Sequence, residues 1–267
     1  TASHAALTTA TTPTQFTRHW TQIRNHFNLL YDTPQNVKEL RQLILQLAVQ
    51  GKLVPQDPND EPADQLLNRK RAERRAEWEH AELERLTTNG GGPKNDKWKA
   101  KYKRPLGVGF SLPNSLPKGW CYAGLESLNT SARPGMRTGP FGSLLKKHEH
   151  RPAGVPVLGI ENIGKMRFVS GSKIHIDTVK AEQLAGYDAR PGDVLISRAG
   201  TVGEVCPVPA DIGEARFSTN VMRVSLMPDG MTPEFFCLLF NAPGVVSDQI
   251  DERCKGSTHA FLNGRIL

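Results

Sequence analysis

The side chains that most often bind metals do not occur at the spacings such sites need. His148 and His150 flank Glu149, which could form half of a metal site, but a solvated loop is the more ordinary interpretation. The four cysteines include no CxxC pair, and none has a histidine at zinc-finger spacing. We therefore predict no metal site. We interpret the four cysteines as buried or indifferent thiols in a reducing cytosol: Cys121, Cys206, Cys237 and Cys254.

Carboxylates and hydroxyls give no catalytic pattern either. Asp193 and Glu204 lie on neighbouring predicted strands, but no suitably spaced lysine follows them, so we expect them to mark strand ends rather than a nuclease centre. Ser197 and Ser218 have no histidine at an evident nucleophile–base spacing. Neither a methyl-donor loop with an Asn/Asp-Pro-Pro-aromatic motif nor a GxxxxGK[ST] loop is present. The sequence thus predicts a chain without catalytic residues of its own.

The charge favours a polyanionic partner but is unevenly distributed. The formal net charge is +7, and residues 1–118 contribute most of it, with 18 Lys/Arg against 12 Asp/Glu. Residues 119–267 are nearly neutral, so folding would have to create any basic face there. No run of about 18 apolar residues occurs, so no membrane helix is expected, and the N-terminus does not resemble a signal peptide. We expect a cytoplasmic protein.

Helices should dominate the first third of the chain. Thr33 can cap a helix that has Pro34 in its first turn and Gly51 as its stop. Its apolar face is predicted from Val37, Leu40, Ile44, Leu47 and Ala48. A second, mostly charged helix should run from near Pro62 to about Leu86. Its basic side chains could bind nucleic acid, although a solvated face interleaved with glutamates is the simpler interpretation.

A basic tract, KNDKWKAKYKRP, follows this helical part. Its aromatic residues Trp98 and Tyr102 could stack on bases, but a mobile linker with non-specific attraction to phosphates is more usual. Beyond Trp120 short apolar runs alternate with Gly and Pro. They predict strands and helices without regular strand–helix alternation: strands at 155–160, 173–176, 193–197, 202–208 and 220–226, and helices at 233–240 and 245–253. The fold class is therefore α+β.

Several sequence strings together resemble one protein family, the specificity subunits of Type I restriction–modification systems. The string from Leu40 to Arg69 resembles a spacer segment of that family, and LPKGW, ending at Trp120, resembles the start of its target recognition domain. The order and spacing of the others resemble one complete recognition domain: GPFGSLLK at 139–146, VPVLGIENIGKMRF at 155–168, GDVLISRAGTVGEV at 192–205, FSTNVMRVSL at 217–226 and KGSTHAFLNGRIL at 255–267.

This resemblance implies a mixed, β-rich recognition domain preceded by spacer-like α-helices. It suggests four segments: a flexible N-terminal arm (1–32), a helical spacer and methyltransferase-docking region (33–87), a basic Gly/Pro linker (88–118) and a DNA-binding target recognition domain (119–267). Loops on a rigid scaffold would then carry the groups that read base edges and hold phosphates. The candidates are Arg133, Arg137, Thr138, Ser143, Lys146, Lys147, Arg198, Thr201, Thr219, Asn220, Lys255, Ser257, Thr258, His259 and Asn263.

The resemblance also implies the partners. These are double-stranded DNA, modification subunits that use S-adenosylmethionine to methylate adenine, and a restriction subunit that uses ATP and Mg to translocate and cut DNA. The chain itself would hold no cofactor. Full-length relatives carry two recognition domains and this chain carries one, so a self-dimer is a further expected partner. Two alternatives stay open: a truncated scaffold that docks the methyltransferase without selective DNA reading, and a fragment of a fused restriction–methylation enzyme.

Overall fold

The computed structural model describes residues 2–107, 116–243, 246 and 248–250. The fold is α+β, as predicted, with a helical N-terminal part followed by short strands and helices. The N-terminal part consists of α1 (Ala2–Thr9), α2 (Pro13–Asn25), α3 (Phe27–Leu30), α4 (Pro34–Val49) and α5 (Ala63–Gly90).

The first 30 residues, for which the sequence suggested a loose or partly helical arm, form three helices. Thr12 caps α2 in a reciprocal capping box with Gln15. Helices α1 to α3 pack against α4 around an apolar cluster. The burial of this apolar surface stabilises the packed helices relative to a free arm. The buried members of the cluster are Leu7, Ile23, Tyr31, Leu43 and Leu47.

Helix α4 begins and ends where its sequence predicts. Thr33 accepts a hydrogen bond from the backbone of Asn36, and Pro34 occupies the first turn. At the other end Gly51 has φ +64°, and the N–H groups of Gly51 and Lys52 return to carbonyls of the last turn. The predicted apolar face was partly wrong. Val37 and Ile44 are exposed, and the core side of α4 carries Leu43 and Leu47.

The basic segment after α5 is not a free linker over its described part. Asp96–Lys101 forms a 3₁₀ helix capped by Asn95, and it places Trp98, 9% exposed, against α5. The segment then continues to Leu106, whose N–H donates to Oε2 of Glu126 at 2.7 Å. The tract is thus anchored at both ends.

The remainder is built from short strands. They are β1 (Met136–Thr138), β2 (Val155–Leu158), β3 (Ile163–Gly164), β4 (Arg167–Phe168), β5 (Ile174–Ile176), β6 (Asp193–Ser197), β7 (Val205–Pro207), β8 (Arg216–Phe217) and β9 (Val221–Ser225). The helices are α6 (Leu125–Leu128), α7 (Thr178–Gln183) and α8 (Pro233–Asn241). One sheet has the order β1-β9-β6-β7, a second the order β5-β2-β8, and β3 pairs with β4.

The two central strands of the four-stranded sheet are buried at every position. One face packs on α8 through Phe236, Cys237 and Phe240, and the other packs on a cluster around Leu158 and Phe217. A strand covered on both faces loses the alternating pattern of a half-exposed strand, which explains the continuous run Asp193–Ser197. Of the predicted strands, this one is reproduced end to end, and the other four are shorter than predicted.

The helical part and the β-rich part are in direct contact. Arg74 of α5 donates to the backbone carbonyl of Glu126 at 2.7 Å. Trp120 donates through its indole N–H to Gln56 at 2.6 Å, and its ring meets Phe235 edge-on. Within the described residues, no helix is long and apolar enough to cross a membrane. The helix predicted at 245–253 falls mostly outside these residues.

Candidate nucleic-acid interface

The strand order brings three loops to one end of the four-stranded sheet. β9 runs antiparallel to both of its neighbours, with Thr138 of β1 opposite Met222 and Ser197 of β6 opposite Val221. The C-terminal ends of β1 and β6 therefore lie beside the N-terminal end of β9. We call the three loops at this end, residues 139–142, 198–203 and 218–220, the loop face.

Close backbone approach joins the first and third of these loops. The N–H of Gly139 donates to the carbonyl of Val221 at 3.0 Å. A Cβ at Gly139 would lie 1.9 Å from the carbonyl oxygen of Ser218, so a side chain cannot fit there without moving backbone. Thr219 adds a hydrogen bond from its hydroxyl to the carbonyl of Pro140 at 2.6 Å. Thr219 is thereby engaged in holding the loops together.

Arg198 is a buried contact between all three loops. Only 2% of the residue is exposed, and its guanidinium donates to the carbonyl of Thr219 at 2.9 Å. The same guanidinium lies 5.1 Å from the ring centre of Phe141, within cation–π range. Burial lowers the pKa of Arg198. The prediction of Arg198 as a direct base reader is corrected, because its hydrogen-bonding head is directed into the scaffold.

The groups that the loop face leaves exposed are short polar side chains, an aromatic ring and lysines. Thr201 is exposed on the 198–203 loop, where its hydroxyl also donates to Ser197 at 3.2 Å. Asn220 is exposed at the start of β9, and Phe141 is 49% exposed. Ser143, Lys146 and Lys147 follow on the same segment and are exposed. Five predicted site residues are therefore accessible on or directly after these loops.

The lysine-bearing turn is held by an acid. Glu149 accepts from the N–H of Lys146 at 2.6 Å and forms an ion pair with Lys180 of α7 at 2.7 Å. The hydrogen bond from Lys180, followed by that from the Lys146 backbone, lowers the pKa of Glu149. Glu149 is therefore paired with Lys180, and both Lys146 and Lys147 are exposed.

Arg133 belongs to an internal ion cluster and not to the exposed surface. Its guanidinium contacts Asp188 at 3.1 Å and Asp193 at 2.5 Å, with 15% of its side chain exposed. Arg223, whose side chain is 1% exposed, also binds Asp188, at 2.6 Å. The prediction of Arg133 as a base reader is corrected, because its charge balances buried carboxylates. Asp193 is 2% exposed and accepts from the Arg190 N–H, which gives it a structural role at its strand end.

The charged groups of this cluster shift one another's pKa values. Burial is the largest influence on Asp188 and opposes ionisation, but the hydrogen bond from Arg190 and the charges of Arg133 and Arg223 outweigh it, so the pKa of Asp188 is lowered. Burial, with repulsion from Arg133, lowers the pKa of Arg223. Removing one partner of a buried ion pair of this kind strongly destabilises the fold, because the other charge is left buried without compensation.

Arg137 and Thr138 lie on the edge strand β1. The guanidinium of Arg137 stacks over the ring of Tyr187, 4.4 Å from its centre, and Tyr187 meets Phe217 edge-on. Both Arg137 and Thr138 are half-buried. The terminal candidates lie outside the described residues: Lys255, Ser257, Thr258, His259 and Asn263.

The chemistry available at this site is recognition by hydrogen bonds and charge. Asn and Thr side chains can donate to and accept from base edges, and lysines can contact phosphates. In the described ranges no group of three His, Cys, Asp or Glu side chains is placed to hold a metal ion. Burial raises the pKa of Cys206 and of Cys237 to about 12, which keeps both thiols protonated. Both residues are buried, which agrees with the buried or indifferent thiols that the sequence indicated.

The sequence reasoning missed Phe141 and the role of Arg198. Phe141 was not among the predicted site residues; it stands in the string GPFG, where the flanking Gly and Pro predict a turn. No local pattern separates a buried arginine from an exposed one. Arg198 directly follows a fully buried strand, and only the packing of the three loops determines its direction.

Comparison with known proteins defines the class of chain. The specificity subunit of the Type I restriction enzyme EcoEI from Escherichia coli is 28% identical over 266 residues, covering 97% of this chain and 41% of that protein. The EcoAI specificity subunit from Escherichia coli is 38% identical over 183 residues, covering 68% of this chain and 27% of that protein. The chain thus spans well under half the length of both relatives. No family model matches it.

A chain solved in work on assembly and conformational transition of the type I R-M system also aligns. It covers 77% of this chain and 43% of its own length, with 16% sequence identity and a TM-score of 0.34, which is too low to support an argument about the fold. The sequence relatives are both specificity subunits of Type I restriction enzymes. More particularly, the resemblance to Type I specificity subunits is confirmed.

Proposed function

We propose that this chain reads duplex DNA for a Type I restriction–modification complex and directs adenine methylation and DNA cleavage by partner subunits. The observation that carries the proposal is the loop face: exposed Thr201 and Asn220 stand on loops fixed from beneath by buried Arg198. Placing these loops on a rigid sheet reduces the ordering cost of binding, as recognition requires. Alignment over 97% of the chain with a specificity subunit supports the same function.

The proposed reading mode divides the exposed residues by their chemistry. Asn220 would contact an adenine edge, for which an Asn side chain offers a matching donor and acceptor, and Thr201 would contact a base more flexibly. Lys146 and Lys147 would hold phosphates and set the register without reading sequence. Phe141 would pack against sugar or a thymine methyl group, since it presents an apolar ring that is 49% exposed.

The helical part would dock the partners. Val37 and Ile44 of α4 are exposed apolar side chains that lie two turns apart on one side of the helix. In this proposal a modification subunit using S-adenosylmethionine methylates adenine, and a restriction subunit using ATP and Mg translocates and cleaves. This chain supplies specificity without a cofactor, and two copies pair to read a two-part site.

The test is co-expression with a modification subunit from the same system, followed by genome-wide mapping of N6-methyladenine. The proposal predicts a new two-part methylated motif that disappears with Asn220→Ala combined with Thr201→Ala. Thr17→Ala combined with Asn25→Ala is a matched control, because both residues are exposed on α2 of the helical part. A stable complex with the modification subunit but no new motif would refute the reading function and favour the scaffold alternative.

The fused-enzyme alternative makes a different prediction. It requires a longer parent reading frame that carries the methyl-donor loop and the Asn/Asp-Pro-Pro-aromatic motif. Sequencing the flanking coding region distinguishes it from a separate specificity subunit. A parent frame without those motifs excludes it.

A further inference from the structure

A basic segment of the chain, separate from the loop face, lies between α5 and α6. The segment 94–104 holds six basic residues and one acidic residue: Lys94, Lys97, Lys99, Lys101, Lys103, Arg104 and Asp96. The formal net charge of this segment is therefore +5. The structure fixes the segment instead of leaving it loose, through the 3₁₀ helix at one end and the Leu106–Glu126 hydrogen bond at the other.

The neighbouring acids of α5 form their ion pairs within that helix, although the charge of Lys101 also contributes to lowering the pKa of Glu82. Glu79 is paired with Arg75 at 2.8 Å, and Glu82 is paired with Arg85 at 2.7 Å, both within α5. Within the segment Lys99 pairs with Asp96 at 3.3 Å. The other basic residues of the segment are exposed and form no ion pair with any described residue: Lys94, Lys97, Lys101, Lys103 and Arg104.

The aromatic residues of the segment are already occupied. Trp98 stacks on Trp78 of α5 with ring centres 6.0 Å apart, and Tyr102 packs on the same Trp78 at 5.3 Å. The guanidinium of Arg75 lies 5.9 Å from the Tyr102 ring centre. Rings held in this way cannot stack on unpaired bases. Such stacking is a major contribution to the binding of single-stranded nucleic acid. The segment therefore presents charge without base-stacking groups.

We propose that the fixed basic segment 94–104 is a sequence-independent contact for the phosphate backbone of duplex DNA beside the site read by the loop face. This inference rests on the proposed function, because both need duplex DNA as the ligand. The stack of Trp98 and Tyr102 on Trp78 holds the segment, with its lysines, against α5. Because folding already orders the segment, binding phosphates costs less conformational entropy. Its position between α5 and α6 places it at the junction of the helical part and the recognition domain.

Salt dependence of binding measures this contact directly. Each phosphate neutralised contributes about −0.9 to the slope of log K against log salt concentration. The double variant Lys97→Gln/Lys103→Gln should therefore reduce the magnitude of the slope by about 2. Arg18→Gln/Arg24→Gln is the matched control, since it removes the same charge from exposed positions of α2 and should leave the slope unchanged.

The experiment is fluorescence anisotropy of the full chain with a labelled random-sequence duplex, from about 50 to 200 mM salt, after circular dichroism has shown that both variants fold. A lower slope for the segment variant alone supports the proposal. Equal changes in both variants, or a loss confined to a single-stranded probe, would overturn it. If the wild type binds duplex DNA and the segment variant has the same salt slope, the inference about segment 94–104 is overturned and the proposed function is not. Failure of the wild type to bind any duplex overturns the proposed function as well.

Discussion

Replacing Arg198 by Met tests whether one buried guanidinium organises the loop face. Methionine keeps the apolar stem and removes the hydrogen bond to the Thr219 carbonyl and the contact with Phe141. Losing a hydrogen bond from a charged donor costs about 1.5–3 kcal/mol. Losing the cation–π contact costs about 0.5–1 kcal/mol. Relief of guanidinium burial, which also lowers the pKa of Arg198, offsets part of this, so we expect a net loss of about 2 kcal/mol.

Urea unfolding followed by circular dichroism gives this change in the free energy of unfolding. Lys147→Met serves as the control, because Lys147 is exposed just beyond the loop face and should change stability by less than about 0.5 kcal/mol. Sequence-selective DNA binding by Arg198→Met should fall more than its binding to random duplex, since the reading loops lose their common support. If Arg198→Met is as stable and as selective as the wild type, the positioning role is refuted.

The remaining predictions concern the scaffold. The pKa of Asp188 lies below its value of about 3.9 in an unfolded chain, so its ionisation stabilises the fold above that pH and the contribution is lost as pH falls through the folded pKa. Acid unfolding of Asp188→Asn should therefore depend less on pH below about 4 than that of the wild type. Because burial raises the pKa of Cys206 and Cys237 to about 12, neither native thiol should react with Ellman's reagent at about pH 8 until the protein unfolds, as mass spectrometry of the labelled residues would show. Gly51→Ala should lower stability in thermal unfolding by about 1–3 kcal/mol, because φ is +64° and the new Cβ would lie 2.7 Å from a proline ring; an unchanged melting temperature would contradict this.

Local signals in the sequence were sufficient for the helix ends and the central strand. Thr33, Pro34 and Gly51 specify capping and termination through their own backbone preferences, and all three act as predicted. The run Asp193–Ser197 is apolar and β-branched enough to mark a strand without knowledge of its neighbours. Such features depend on a few consecutive residues.

Features that depend on tertiary contact were predicted poorly. Nothing in the first 30 residues shows that Leu7 and Ile23 find a shared core with α4. The exposure of Val37 follows from which side of α4 the other helices cover, which periodicity alone does not decide. Trp98 similarly became part of a stack because α5 offers Trp78 at the right distance.

The candidate site shows the same division. The sequence selected loops rich in Gly, Thr and Asn, and the structure brings three of them together at one sheet end. It did not separate the arginines, because Arg133 and Arg198 have no local feature that reveals their buried partners. Which loop residues contact bases stays a prediction.

The central claim is that the loop face reads bases, and selection of bound sequences from a randomised duplex library tests it most directly. The wild-type chain should enrich a defined motif, and Asn220→Ala should relax one position of it, with about 1–3 kcal/mol less discrimination there. Lys147→Gln should weaken binding uniformly and leave the motif intact, because it contacts phosphate in this account. If folded Asn220→Ala and Thr201→Ala variants select the wild-type motif with unchanged preference at every position, the loop face does not read DNA.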